Sequence, residues 1–354
     1  MAKTIFILGA GASAHASVPV TKNFWGKAID LIDGNHIDEK DLEDFNMIRS
    51  FFMNRIRLVP SNFNFDIENI ETIFSLIEMA KLTNKFLDLS SKEIEKLHIA
   101  INKFIVRTIE KTSHFVVHAN GNVISPKIYN NFYNYFIEGI NNKENKFCVI
   151  SFNYDLALDF VIEFHGGPRL INYCLPGQNR SHYDAIKLLK LHGSINWATC
   201  TNKNCNNIRV ISIRDDIGII GNPLRPIEAS KIIKTLKCEC GDKLNDLPLI
   251  VPPTWNKTGN YNIENVWHQT VIELSEAKNI FIIGYSMPKA DIFFQYLLAL
   301  GTLDIANLER FWVFDKNQDL EEKYSKLLGQ NIRGKYRFSK ASFEQAIHEI
   351  KEIF

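Results

Sequence analysis

Six short apolar runs recur along this chain, and each ends on glycine, proline or polar residues. Residues 4–8 run into Gly9-Ala10-Gly11-Ala12-Ser13, and 147–150 deliver Ser151-Phe152-Asn153-Tyr154-Asp155. Residues 185–191 lead into His192-Gly193-Ser194, and 247–251 into Pro252-Pro253-Thr254-Trp255. Residues 279–283 end at Gly284-Tyr285-Ser286-Met287-Pro288, and 311–314 at Asp315-Lys316-Asn317. Apolar stretches this short read as strands buried on both faces, the habit of parallel sheets. A sheet with several strand ends along one edge makes a crevice there, and such crevices bind ligands. The expected fold class is α/β, with a Rossmann-like parallel sheet.

The first two runs are too far apart for an ordinary crossover. Residues 21–145 therefore read as an inserted helical layer. Ile70, Ile73, Phe74, Ile77 and Met79 fall near helical spacing, as do Ile94, Leu97, Ile101, Phe104, Ile105 and Ile109. Glu68 and Glu71 sit at a helix start, where a carboxylate suits the dipole; they could instead line a cleft. Residues 58–66 lack periodicity and read as a loop or flap. The tail, 321–354, reads as two amphipathic helices.

Each strand end admits a chemical and a plain reading. Gly9 to Ser13 could bring backbone N–H groups to a pyrophosphate, or be a tight strand-to-helix turn with Ser13 as a cap. Asn153 and Asp155 could hold a ribose or a water, or form an Asx-turn opening the next helix. His192 carries an imidazole able to take a proton from a hydroxyl at physiological pH. Gly193 beside it lets a ligand come close. Asp291 opens a helix.

Cys200, Cys205, Cys238 and Cys240 form two close pairs and resemble a zinc-ribbon-like module, a structural site with no open ligand position. Their spacings, four residues and one, depart from the usual two. A lost metal or free thiols are the alternatives. Cys148 and Cys174 read as core residues. The net charge of +1 removes the simplest argument for direct nucleic-acid binding. No stretch reads as a membrane span or signal peptide, so the expected location is cytoplasmic, where thiols stay reduced.

In order, these motifs resemble the sirtuin (Sir2) family. The wording of Asn69-Ile70-Glu71-Thr72-Ile73-Phe74, Ser151-Phe152-Asn153-Tyr154-Asp155, Leu191-His192-Gly193-Ser194, Val251-Pro252-Pro253-Thr254 and Gly284-Tyr285-Ser286-Met287-Pro288 with Asp291 is similar to the bacterial SIR2-like NAD-hydrolase branch of antiphage defence. The resemblance spans roughly residues 3–317. It implies an NAD⁺-binding core of 1–20, 146–199 and 247–320, a helical insertion at 21–145, the cysteine module at 200–246 and C-terminal helices at 321–354.

The resemblance also implies roles. Gly9, Ala10, Gly11, Ala12 and Ser13 would cradle the pyrophosphate, with Pro19 and Gly193 also at the cofactor. Asn153 and Asp155 would hold the nicotinamide ribose and position the attacking water, and His192 would act as base or ribose-hydroxyl partner. Gly284, Tyr285, Ser286 and Asp315 would contact the adenosine half. Sirtuin deacylases carry Gly-Ile-Pro-Asp-Phe-Arg after the first loop; this chain has Ser17-Val18-Pro19-Val20-Thr21-Lys22. Their Val-x-Phe-Gly-Glu stretch is replaced by Val251-Pro252-Pro253-Thr254-Trp255. Both departures favour water as acceptor, hence NAD⁺ hydrolysis to nicotinamide and ADP-ribose. Alternatives are a protein deacylase or ADP-ribosyltransferase, a non-catalytic NAD⁺ or ADP-ribose sensor, and a scaffold. An NADase must be gated, so a homo-oligomer or a defence partner such as a HerA-type ATPase or an Argonaute is expected.

Overall fold

The computed structural model describes residues 3–54, 69–117, 123–138, 146–178, 185–216, 228–252, 263–288, 291–301 and 308–354. The flap at 58–66, most of the Pro-bounded stretch after Val251, and residues 1–2 of the core lie outside them.

Seven strands form the main sheet: β1 (Lys3–Leu8), β2 (Lys146–Ser151), β3 (Ile171–Asn172), β4 (Ile186–Lys190), β5 (Asn279–Ile283), β6 (Arg310–Asp315) and β7 (Tyr336–Lys340). Every pairing is parallel, in the order β7-β6-β5-β1-β2-β4-β3. β1 is central, with Ile5 registered between Cys148 and Ile280. Ile5, Phe6, Ile7 and Leu8 are all buried, which explains their uninterrupted apolar character. On one side of β1 the chain lays β2, then the edge strand β3, then β4 between them, and it returns at β5 to build the other side outward. The order thus reverses beside β1, and the loops after β1, β2 and β5 face one another across that switch point. The α/β parallel-sheet class expected from the sequence holds.

Helices Phe24–Asp33, Glu39–Asn54, Ile70–Thr83 and Ser91–Thr112 make the layer between β1 and β2. Phe104 is its centre, ringed by Phe24, Trp25 and Phe45. Ser90 and Glu93 close a capping box on the longest helix, and Asn69 caps the Ile70–Thr83 helix.

Two expectations need correction. Residues 247–251 are not a sheet strand: they make one isolated bridge, Gly193 to Ile250. The run is apolar because it docks across the strand ends, where Val251 N donates to His192 O and Ser194 N to Leu249 O. The tail is not helices alone. Helices Leu320–Leu327, Gln330–Arg333 and Phe343–Lys351 flank the edge strand β7. Its sequence, Tyr-Arg-Phe-Ser-Lys, lacks an apolar run because an edge strand is only half covered. Among the described residues no helix is long and apolar enough to cross a membrane.

Candidate active site

The loop after β1 is joined to the loop after β5 backbone to backbone. Gly9 N donates to Ile283 O and Gly11 N to Gly284 O, both at 3.0 Å, while Ala12 N donates to Gly9 O. A Cβ on Gly9 would lie 2.4 Å from Gly284 O, and one on Gly284 2.6 Å from Ala12 N. These glycines are needed for the loops to cross at all. The N–H groups of Gly9, Gly11 and Ala12, expected to face a phosphate, are taken up within the protein. Gly11 remains exposed on the outer side of the turn.

The loop after β2 enters the same place. Asn153 Nδ2 donates to Gly9 O at 3.0 Å and to Ser13 Oγ at 2.9 Å. Ser13 Oγ also bonds the Tyr129 hydroxyl, at 3.0 Å. Asp155 Oδ1 accepts from Ala157 N, 2.9 Å, so its carboxylate does form the Asx-turn. Burial pushes the Asp155 carboxyl above its usual range, against the opposing pull of Lys190. Ser13, Asn153 and Asp155 are all buried.

His192 arrives from β4, and Gly193 turns the chain at φ +79°. A Cβ there would lie 2.2 Å from Leu249 O. His192 Nε2 lies 3.5 Å from Asp291 Oδ2, which accepts from the Tyr285 hydroxyl at 2.6 Å. Tyr285 stacks flat on Phe152 (4.0 Å between centroids), and Phe152 meets the His192 ring edge-on at 5.2 Å. Tyr285 is therefore a buried wall of the site, its hydroxyl committed to Asp291. Ser286 is exposed, and Asp315 turns its carboxylate onto Asn317 N. These two stand on the β5–β6 side, away from His192 and Asn153 in the bond network.

Beneath the loops lies a buried ammonium that the sequence reading missed. Lys190 Nζ donates to Asp155 O (2.6 Å) and Ser194 Oγ (2.7 Å), and pairs with Asp159 Oδ2 at 3.2 Å. One side chain thus ties the Asn153–Asp155 loop to the His192–Ser194 turn. Asp159 also accepts from Tyr173 OH, and Ser194 donates to Asn196. Burial at these positions without full pairing would be costly.

Asn153 and Asp155 line a small cavity of about 50 Å³, walled also by Ala10, Pro19, Phe152 and Glu71. This volume holds water, not a dinucleotide, whose pockets run to hundreds of Å³. A far larger cleft, about 1080 Å³, lies between the Ile70–Thr83 and Ser91–Thr112 helices and the segment Asn245–Ile250.

The cysteine module begins where the site ends. All four sulfurs lie within 4.8 Å of one another, with Cys200–Cys240 at 3.5 Å and Cys205–Cys238 at 3.6 Å. Four thiolates at about 2.3 Å from a tetrahedral ion stand roughly 3.8 Å apart, so this set could hold one metal ion. Gly241, at φ +91°, turns the knuckle in which Gly241 N donates to Cys238 O.

No family model matches this chain, and no curated protein matches it. Several solved structures do. A mutant Sir2 homologue in complex with ADP-ribose is 14% identical, over 99% of this chain and 90% of that one, at a TM-score of 0.42. Another mutant Sir2 homologue, in complex with 2′-O-acetyl-ADP-ribose, is 15% identical over 99% and 91%, at 0.44. A Sir2–peptide–NAD⁺ complex is 10% identical over 99% and 92%, at 0.38. At such scores the likeness decides neither site nor chemistry, which rest on the residues themselves.

Proposed function

We propose that this chain hydrolyses NAD⁺ to nicotinamide and ADP-ribose at the crevice formed by the loops after β1, β2 and β4. The observation that carries the reading is the convergence there of Ser13, Asn153, Asp155 and His192, all buried, in the order and wording of a sirtuin-like site. Asn153 and Asp155 hold the nicotinamide ribose, and His192, with Asp291 beside its Nε2, partners a ribose hydroxyl. Fixed polar groups favour the oxocarbenium-like ribose that forms as neutral nicotinamide leaves. The loops bearing Gly9 to Ser13, with Pro19, and Gly284 to Ser286, with Asp315, receive the rest of the dinucleotide.

In this reading the metal is a structural zinc, held by Cys200, Cys205, Cys238 and Cys240 in a reducing cytoplasm. It fixes the segment that carries Leu249 and Val251 across the His192 turn. The small cavity supports gating: the site opens part of the time in the chain alone, giving basal turnover, and oligomerisation or a partner protein raises that fraction. Depletion of host NAD⁺ during phage infection is the role this chemistry fits.

One observation favours a second reading, transfer to an acceptor as in a deacylase or ADP-ribosyltransferase. The large cleft reaches Leu249 and Ile250, directly beside Gly193. The test is NAD⁺ incubated with the purified chain, with and without an acylated peptide. Hydrolysis predicts nicotinamide and ADP-ribose in equal amounts without peptide. Peptide-dependent release, with acyl-ADP-ribose as product, would establish the second reading instead.

A further inference from the structure

Glu71 occupies an unusual place for a carboxylate in the first turn of a helix. Such groups ordinarily face solvent and complement the dipole. Glu71 instead lines the same small cavity as Asn153 and Asp155. Asn69 sets it there: its Oδ1 accepts from Glu71 N at 2.9 Å and from Thr72 N at 3.4 Å, starting the helix one residue before Glu71. Its charge also acts on the ring next to the histidine. Burial first, then the charge of Glu71, hold the Tyr154 phenol well above its ordinary range, and the Tyr154 and His192 rings are 5.9 Å apart.

Cleavage of NAD⁺ releases nicotinamide as a neutral base, so no acid is needed for the leaving group. What the reaction needs is negative charge near the ribose cation and an acceptor for one proton of the attacking water. Two acidic residues line the cavity. Asp155 is fixed into its turn through Ala157 N, and its backbone oxygen is held by Lys190. Glu71 enters from the helical layer, only half-buried, so a proton it gains can pass to solvent.

Resting on the reading of the chain as an NAD⁺ hydrolase, we propose that Glu71 is the catalytic base for the attacking water. The C1′–N bond breaks and its electron pair departs with nicotinamide. The water oxygen bonds C1′, and its proton moves to the Glu71 carboxylate and then to bulk water. The helical layer thereby supplies a catalytic group that makes water the acceptor.

The experiment compares wild type, Glu71→Gln and Glu71→Ala in NAD⁺ hydrolysis, in exchange of labelled nicotinamide into NAD⁺, and in cleavage with added azide, which attacks without losing a proton. The expected result is a loss of hydrolysis of about 10² to 10⁴-fold, with exchange reduced less than tenfold and azide restoring nicotinamide release by Glu71→Ala. Hydrolysis unchanged in Glu71→Gln would overturn the assignment alone. So would a parallel fall in hydrolysis and exchange without azide rescue, the mark of a structural role. A wild type that releases no nicotinamide would overturn the parent reading, and this one with it.

Discussion

The His192 turn and the cysteine module follow one another along the chain, yet they are held in opposite ways. The turn sits on the ends of the sheet's buried central strands and is fixed by polar groups with large sequence separations: Lys190 with Asp155 and Asp159, Asn153 with Gly9 and Ser13. The module has only a small core of its own, Ala198, Ile211, Ile233 and Leu244 around Cys200 and Cys238. Among its ties to the helical layer is a buried cluster, in which Arg107 bonds Glu110 and Ser230, and Ser230 N donates to Glu110. A core that small needs a staple. The difference teaches that the loops around His192 are pre-formed by burial, whereas the module has four clustered sulfurs that could hold it through a metal ion.

Breaking the staple is expected to have the largest effect. Small zinc domains draw about 10 kcal/mol or more from the metal. Chelation, or Cys238→Ser, should open residues 200–246 to protease while the sheet core stays folded. A module that resists protease without metal would erase the contrast. Next comes Lys190→Met. Removing one partner of a buried pair costs about 3–5 kcal/mol, here because Asp159 would be left buried without its cation. Denaturant unfolding would show it, and a loss below 1 kcal/mol would mean the loops do not depend on that ammonium.

The smallest effect lies at the join between the regions. Glu163 accepts from Ser212 Oγ at 2.8 Å and from Arg214 N at 3.1 Å, linking the Ala157–Gly166 helix to residues 212–214 of the module. Burial raises its carboxyl from 4.5 to about 7. A carboxyl raised on folding stabilises below its unfolded value and loses that contribution as pH rises through the folded one. Stability should therefore fall between about pH 4.5 and pH 7, by on the order of 3 kcal/mol. Glu163→Gln should remove that slope in pH-dependent melting.

The sheet was legible because β1, β2, β4, β5 and β6 are buried on both faces and so read as apolar runs. β3 was not, being only Ile171–Asn172, and β7 was not, since Arg337 and Lys340 break any apolar pattern on an edge. Residues 247–251 misled because docking across strand ends demands the same apolar residues as a strand. At the site, Asn153 and His192 could be read from their positions after strands. Tyr129, Lys190 and Asp291 could not, since their partners Ser13, Asp155 and His192 come from distant parts of the chain or from the buried underside of the loops. For the glycines the sequence showed where but not why. Gly9 and Gly284 make room for each other's backbone.

The central claim is that the crevice around Asn153 and His192 cleaves NAD⁺. The most direct measurement is the nicotinamide and ADP-ribose formed from NAD⁺ by wild type, Asn153→Ala and His192→Ala, each shown to be folded by its melting curve. The account predicts turnover by the wild type and its loss in both variants. Turnover that survives both substitutions would place the chemistry elsewhere in the molecule and contradict it.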